Sequence, residues 1–378
     1  MDKLTQPIGK GEALSLSYQS GQGLSLDDLS NEIITLIAQN IREPFDNLFN
    51  YNRSYHSCNN TLLNFALCSR RLRTLVEPFL YEEFNEFEGP RTKPQHRDIV
   101  GFVCRLLARP DLAAKVKRVS VQGQPAERGP SGEPLSDLVV SVIKDEEWTR
   151  IEDAIKDLTD DEQTKPNSLW EIRDGRWEAF FVVMLSILPS LREVVAFNWG
   201  HYYDNYILLD DFLGQAALQQ KTHPSTSTTR FALQCLEEVT LIYHDTEGCM
   251  SPQIMFPWMA LPSVHTIKAS AISANSEDDE DEDFDVDDTS EFPDWASRDK
   301  FPNMRRLTLE NSSLNAIDIA GVLRPLTNIE SLEYWHGGAT VSYGEFHATR
   351  MIHGISVAKR TLKHLHLFDM DCSGEESM

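Results

Sequence analysis

The chain has 378 residues, 41% of them hydrophobic, enough for a sizeable core in two or three domains or in one elongated array. Its formal charge of -24 excludes nucleic acid as a natural partner, because an acidic surface repels phosphate and gains nothing from counterion release. No apolar run is long enough for a bilayer, and the opening MDKLTQPIGKGEALSLSYQSGQG lacks the apolar centre of a signal peptide, so the expectation is an intracellular protein, cytoplasmic or nuclear, with no membrane partner.

Residues 1–25 read as a disordered tail. Beyond them Leu26, Leu29, Ile33, Ile34, Ile37 and Ile41 recur at the three-and-four spacing that lines apolar side chains along one helical stripe. Ser30 is placed to cap that helix, and Glu32 falls in its first turn, where negative charge is favoured. A polar stretch, residues 42–61, interrupts the pattern. It resumes with Leu63, Leu67, Arg70, Arg71 and Leu75 at helical intervals and closes on Pro78, Phe79, Leu80 and Tyr81.

The two halves, LSLDDLSNEIITLIAQNI and TLLNFALCSRRLRTLVEPFLYEEF, together resemble the F-box of filamentous fungi. That family opens with Leu-Pro, an acidic residue and Ile or Leu; here Leu29, Glu32 and Ile33 match, while Ser30 replaces the proline and meets the same need by capping. The second half matches better, with a leucine-rich helix running into Cys68 and Ser69, the Arg70-Arg71 pair, and a Pro78-Phe79-Leu80-Tyr81 close. The resemblance covers residues 26–84 and implies a helical module that docks on a Skp-type adaptor and through it on a cullin. Carried over position by position, the adaptor-binding residues are Leu26, Leu29, Ile33, Ile34, Leu63, Leu67, Cys68, Leu72 and Leu75, with some of them packing inside the module instead.

Residues 85–97 read as a linker. From 98 to 372 an apolar residue is followed by others at plus three and plus five, the strand signature of leucine-rich repeats. It recurs at Val116/Val119/Val121, Leu191/Val194/Ala196, Leu236/Val239/Leu241, Val264/Ile267/Ala269, Met304/Leu307/Leu309, Ile329/Leu332/Tyr334 and Leu362/Leu365/Leu367. Between these lie amphipathic stretches, RWEAFFVVMLSIL, SLNAIDIAGVL and YGEFHATRMIHGISVAKR, which predict helices. The predicted fold class is therefore α/β: a short helical module followed by an irregular solenoid with parallel strands on the concave face and helices outside.

Strand alternation also predicts which side chains face away from the helices. They are Glu193, Val195 and Phe197; Glu238, Thr240 and Ile242; Arg306, Thr308 and Glu310; Ser331, Glu333 and Trp335; and His364, His366 and Phe368. Aromatic residues amid polar ones are what binding hot spots use, so Phe197, Ile242, Arg306, Glu333, Trp335, His364, His366 and Phe368 are the candidate residues for binding a protein substrate; the alternative is that loops or the acidic insertion cover them. That insertion, within 275–297, carries EDDEDEDFDVDD, a run that repels itself and is expected to stay solvated. Its sharper reading is a lure for a basic partner, with Phe284, Phe292 and Trp295 as apolar contacts.

Nothing in the chain points to an enzyme, a cofactor or a metal. The six cysteines never form a C-x-x-C pair. Cys68 and Cys104 fall on apolar helical faces, where a small buried thiol is the ordinary expectation. His364 and His366 make an H-x-H pair without an evident third ligand, and His244-Asp245 with Cys249 is poor geometry for a dyad. GKGE at 9–12 lacks P-loop spacing, and the acidic pairs Glu146-Glu147, Glu152-Asp153 and Asp160-Asp161 suit a solvated helix face. By resemblance, the function expected is substrate recognition in an SCF-type cullin-RING ubiquitin ligase. The alternative is a non-catalytic repeat scaffold whose F-box-like segment is only a helical cap.

Overall fold

The computed structural model describes residues 26–41, 51–86, 96–122, 143–156, 172–173, 177–197, 207–222, 231–243, 248–274, 296–337 and 346–369. They form an α/β protein whose eight strands run parallel in one sheet, in the order β1 to β8 in which the chain makes them. The strands are β1 (Glu83–Asn85), β2 (Arg118–Gln122), β3 (Glu193–Phe197), β4 (Glu238–Ile242), β5 (Thr266–Ser270), β6 (Arg306–Ser312), β7 (Ser331–His336) and β8 (His364–Asp369). Three helices precede them: α1 (Asn31–Ile41), α2 (Tyr51–Cys68) and α3 (Arg70–Leu80). Between strands lie α4 (His96–Ala108), α5 (Pro110–Ala113), α6 (Asp145–Lys156), α7 (Trp177–Ser186), α8 (Ile207–Thr222), α9 (Phe256–Met259), α10 (Ala316–Leu323) and α11 (Ala348–Ile355).

The seven segments picked out by their plus-three and plus-five residues are strands β2 to β8, and they pair in one continuous register. Val119, Val194, Val239, Ile267, Leu307, Leu332 and Leu365 stand opposite one another in turn. Val121, Ala196, Leu241, Ala269, Leu309, Tyr334 and Leu367 form a second row. Parallel crossovers share one hand, so a sheet whose strands follow in order gathers its helices on a single face. Both rows point there, and all but the β8 members are buried in one core with Phe180, Phe181 and Leu185 of α7. Each Val, Leu, Ile or Phe among them contributes roughly 1.5–3 kcal/mol on leaving water. The segment RWEAFFVVMLSIL departs from its amphipathic expectation: α7 is buried from Trp177 through Leu185, and even Glu178 is enclosed, its carboxylate accepting the Leu209 N–H at 2.9 Å in the first turn of α8.

Just before the strands, several neighbouring residues of opposite charge pair across the sheet. Lys117 lies 2.7 Å from Glu82, Arg192 3.8 Å from Glu237, Arg305 3.8 Å from Glu330, and Lys363 2.9 Å from Glu330. Exposed pairs of this kind add little stability each, at most about 1 kcal/mol.

Helices and strands cross several of the segment bounds read from the sequence. The predicted linker at 85–97 is preceded by β1, which straddles the end of the helical module and pairs with β2 through Glu83, Phe84 and Asn85. The interruption at 42–61 is shorter than expected, because α2 already begins at Tyr51. The carboxyl-terminal half of the module is two helices, α2 and α3. Ser69 separates them and caps α3, its hydroxyl accepting the Leu72 N–H at 3.2 Å, and Pro78 lies inside α3 rather than ending it.

The turn after β6 is held by one hydroxyl. Asn311 takes a positive φ of 48° where the register to β7 shifts. The buried Tyr334 Oη accepts the Leu314 N–H at 3.0 Å and lies 3.1 Å from the Ser312 carbonyl, 3.2 Å from the Leu314 carbonyl and 3.0 Å from His336 Nδ1. Tyr334→Phe leaves that buried N–H without its acceptor and is expected to cost about 1–3 kcal/mol. Urea unfolding reads this as a lower midpoint at unchanged slope.

Candidate functional site

The amino-terminal module has a core of its own. Ile34 and Ala38 of α1 pack with Leu62, Phe65 and Ala66 of α2 and Leu72 and Val76 of α3, a cluster separate from the sheet's. Ser30 caps α1 as expected, with its hydroxyl 3.4 Å from the Ile33 N–H, and it also bonds the Glu32 carboxylate, holding that group below the usual carboxylate range. Arg71 ties the module shut: its guanidinium donates to the Leu29 carbonyl at 2.6 Å and to Asn31 Oδ1 at 2.8 and 3.0 Å, locking the start of α1 onto α3.

The nine predicted docking residues divide by burial. Ile34 and Leu72 are fully buried in the module core, so they hold it together and are unavailable to a partner. Leu29 and Leu75 are half-buried against that core. Leu26, Ile33, Leu63, Leu67 and Cys68 are exposed, Ile33 at 46% and Leu67 at 71%. Cys68 is thus not the buried thiol expected, although Cys104 is. Leu36, one turn from Ile33 and outside the predicted set, is exposed as well. These side chains form two pairs one helical turn apart, Ile33/Leu36 on α1 and Leu63/Leu67 on α2.

The second candidate surface is the sheet face opposite the helices. Over β2 to β4 it is closed: Ser120, Val195 and Thr240 are nearly inaccessible, and Phe197, predicted as an exposed contact, is 8% exposed. Ser120, Val195 and Thr240 are short side chains flanked on the same face by the longer Arg118, Glu193 and Glu238 and by Phe197 and Ile242. Arg118 reaches Glu193 at 3.2 Å and Glu83 at 3.6 Å, and Lys268 reaches Glu238 at 2.6 Å. Ile242 is half-buried.

Toward β8 the face opens. Glu333 and Trp335 are half-buried, and Arg306, His364, His366 and Phe368 are exposed. The structure brings Trp335 and Phe368 together with ring centroids 4.5 Å apart, and His366 lies 6.1 Å from Phe368. The Trp335 indole N–H donates to Glu333 Oε1 at 2.9 Å. Glu310 belongs to this group although it was not singled out as a contact. Its carboxyl is pushed up by burial and then by the neighbouring Glu333, with Lys268 acting in the opposite direction.

No protein-family model matches the chain, and no curated protein matches it. Among the described residues no three His, Cys, Asp or Glu side chains are grouped to hold a metal, and no helix is long and apolar enough to cross a membrane. A cleft of about 470 Å³ on the helix side is lined by Leu107, Arg150, Asp153, Phe212, Gln215 and Gln219 among others, without histidine or cysteine. His244-Asp245, Asp160-Asp161, GKGE at 9–12, residues 1–25 and the acidic run with Phe284, Phe292 and Trp295 lie outside the described residues.

A carboxyl whose folded pKa is raised holds its proton more tightly folded than unfolded. Its stabilising contribution is therefore present at acid pH, below the unfolded value near 4.3, and is lost as pH rises through the folded value. For Glu310 the sign predicts that Glu310→Gln melts at a higher temperature than the parent chain at pH 7.5. The two should converge toward pH 4, as read by calorimetry across that range.

Proposed function

We propose that this protein is a substrate-recognition subunit of an SCF-type cullin-RING ubiquitin ligase, its F-box-like module docking on a Skp-type adaptor and its leucine-rich-repeat sheet holding a protein substrate. The observation that carries this reading is the pair of exposed apolar turns, Ile33/Leu36 and Leu63/Leu67, on a module that already has its own core. A small module leaving large aliphatic side chains in water is what a docking surface for a second protein requires. The sequential parallel strands, with two apolar residues in register in each of β2 to β8, support the repeat assignment. In this role the protein supplies no nucleophile. It raises the local concentration of a substrate lysine at the conjugating enzyme, which is catalysis by positioning.

A second reading, a repeat scaffold in which the module is a cap, draws on one observation: α3 passes into β1 through two residues, and Arg109 beyond α4 lies 3.5 Å from Glu77 of α3. A cap hides its apolar stripe against the first strand, whereas a receptor leaves it open. Affinity purification followed by mass spectrometry separates the two. Recovery of adaptor and cullin is expected for the receptor, and their reproducible absence leaves the scaffold.

A further inference from the structure

The open end of the sheet face has a chemistry specific enough to name what it holds. Its centre is aromatic, the Trp335–Phe368 pair, and Phe368 remains 42% exposed. Its rim is anionic. On the face as a whole the acids toward β1 are compensated, Glu83 and Glu193 by Arg118 and Glu238 by Lys268. Glu310 and Glu333 have no ion-pair partner among the described residues. The cations nearby only partly offset this charge: Lys268 is paired with Glu238 at 2.6 Å while still acting on Glu310, and Arg306 lies at the entrance of β6, where its charge acts on Glu330.

Glu333 uses Oε1 to accept the Trp335 indole N–H, which fixes the ring and keeps Oε2 for another donor. Aromatic faces attract a cation through their quadrupole, and a carboxylate pair beside them supplies the counter-charge. The half-buried state of Glu310 strengthens that attraction, because a partly desolvated carboxylate gains more from an incoming cation than a hydrated one.

We propose that this end of the sheet binds an extended basic segment of a partner protein, seating an arginine or lysine side chain between Glu310 and Glu333 against the Trp335–Phe368 pair. The proposal deepens the reading of the sheet as the recognition surface, naming its partner as cationic, and it does not depend on the adaptor. The planar guanidinium, which stacks on aromatic rings and forks onto carboxylates, is the better fit of the two cations.

The test is an anisotropy titration of the full-length protein with a fluorescent peptide of alternating arginine and alanine, against the same peptide with citrulline, at physiological ionic strength. The arginine peptide is expected to saturate and the citrulline peptide to bind at least about tenfold more weakly. Glu310→Gln with Glu333→Gln is near-isosteric and keeps the fold; it is expected to weaken binding about fivefold or more, as is Trp335→Ala. Neutralising two exposed acids on α6, Asp145→Asn with Glu146→Gln, should leave binding unchanged and so separates the site from the general pull of an acidic chain. The proposal is overturned if the α6 variant loses as much affinity as the sheet variant, if citrulline binds as well as arginine, or if the arginine peptide does not bind. None of these outcomes touches adaptor co-purification, so the ligase reading and this one fail separately.

Discussion

Ile33→Asp combined with Leu67→Asp is expected to abolish adaptor binding while the thermal unfolding transition stays where it is in the parent chain. Both side chains stand largely in water in the free protein, Leu67 at 71% exposure, so a carboxylate at either place meets solvent and costs the fold little. At an interface the balance reverses. Each aliphatic side chain forfeits roughly 1.5–3 kcal/mol of burial, so the two together weaken the complex by roughly two to four powers of ten, before the cost of pressing two charges against an apolar partner. Ile34→Asp is the contrasting control. Ile34 is fully buried, and a carboxylate there should unfold the module rather than merely release its partner. Co-purification with a Skp-type adaptor and circular dichroism melts on the same samples read both effects, and retained binding by the Ile33/Leu67 variant would falsify the docking assignment.

Gly354→Ala is expected to be strongly destabilising. A Cβ on Gly354 of α11 would run into the backbone carbonyl oxygen of Ala316 and lie 2.8 Å from Ile319 Cγ2, both on α10. Helix α10 does not yield easily. The start of α10 is pinned by a capping box in which Asn315 accepts the Asp318 N–H at 2.8 Å and Asp318 accepts the Asn315 N–H at 3.3 Å, with Asp318 itself buried. Overpacking of this kind costs about 1–3 kcal/mol, and an obstacle made of backbone places the result at the upper end. A chemical denaturation curve should show the loss directly. An unchanged midpoint would mean that α10 and α11 separate more freely than the capping box on α10 allows.

Strands β2 to β8 were legible because their inward residues are apolar at fixed offsets, which a linear scan detects. The strand β1 has the same offsets in Tyr81, Phe84 and Glu86, but the third place holds an acid where the others hold an apolar residue. That acid is buried, and its carboxylate accepts the Trp177 indole N–H at 3.2 Å, so the exception is satisfied by a residue 91 positions away. A period in sequence cannot register such a partner. The break between α2 and α3 did leave a signal, since Ser69 followed three residues later by a core leucine is a capping arrangement. At the candidate surfaces, periodicity identified the apolar stripe of α1 but not which members the neighbouring helices claim, so Ile34 and Leu72 were grouped with Ile33 and Leu67. Alternation likewise assigned Phe197 to the face opposite the helices, where it is, without showing that this part of the face is closed.

The passage from α3 into β1 is two residues long and packed on both sides, with Phe84 stacked on Phe102 at 4.3 Å and Tyr81 on the same ring at 6.4 Å. Such a joint leaves no slack for swivelling. In the proposed role, whatever grips the first three helices would therefore set the bearing of the sheet, and a cargo seated near β8 would be aimed by the module eight strands away, much as a crane arm is aimed by its turret.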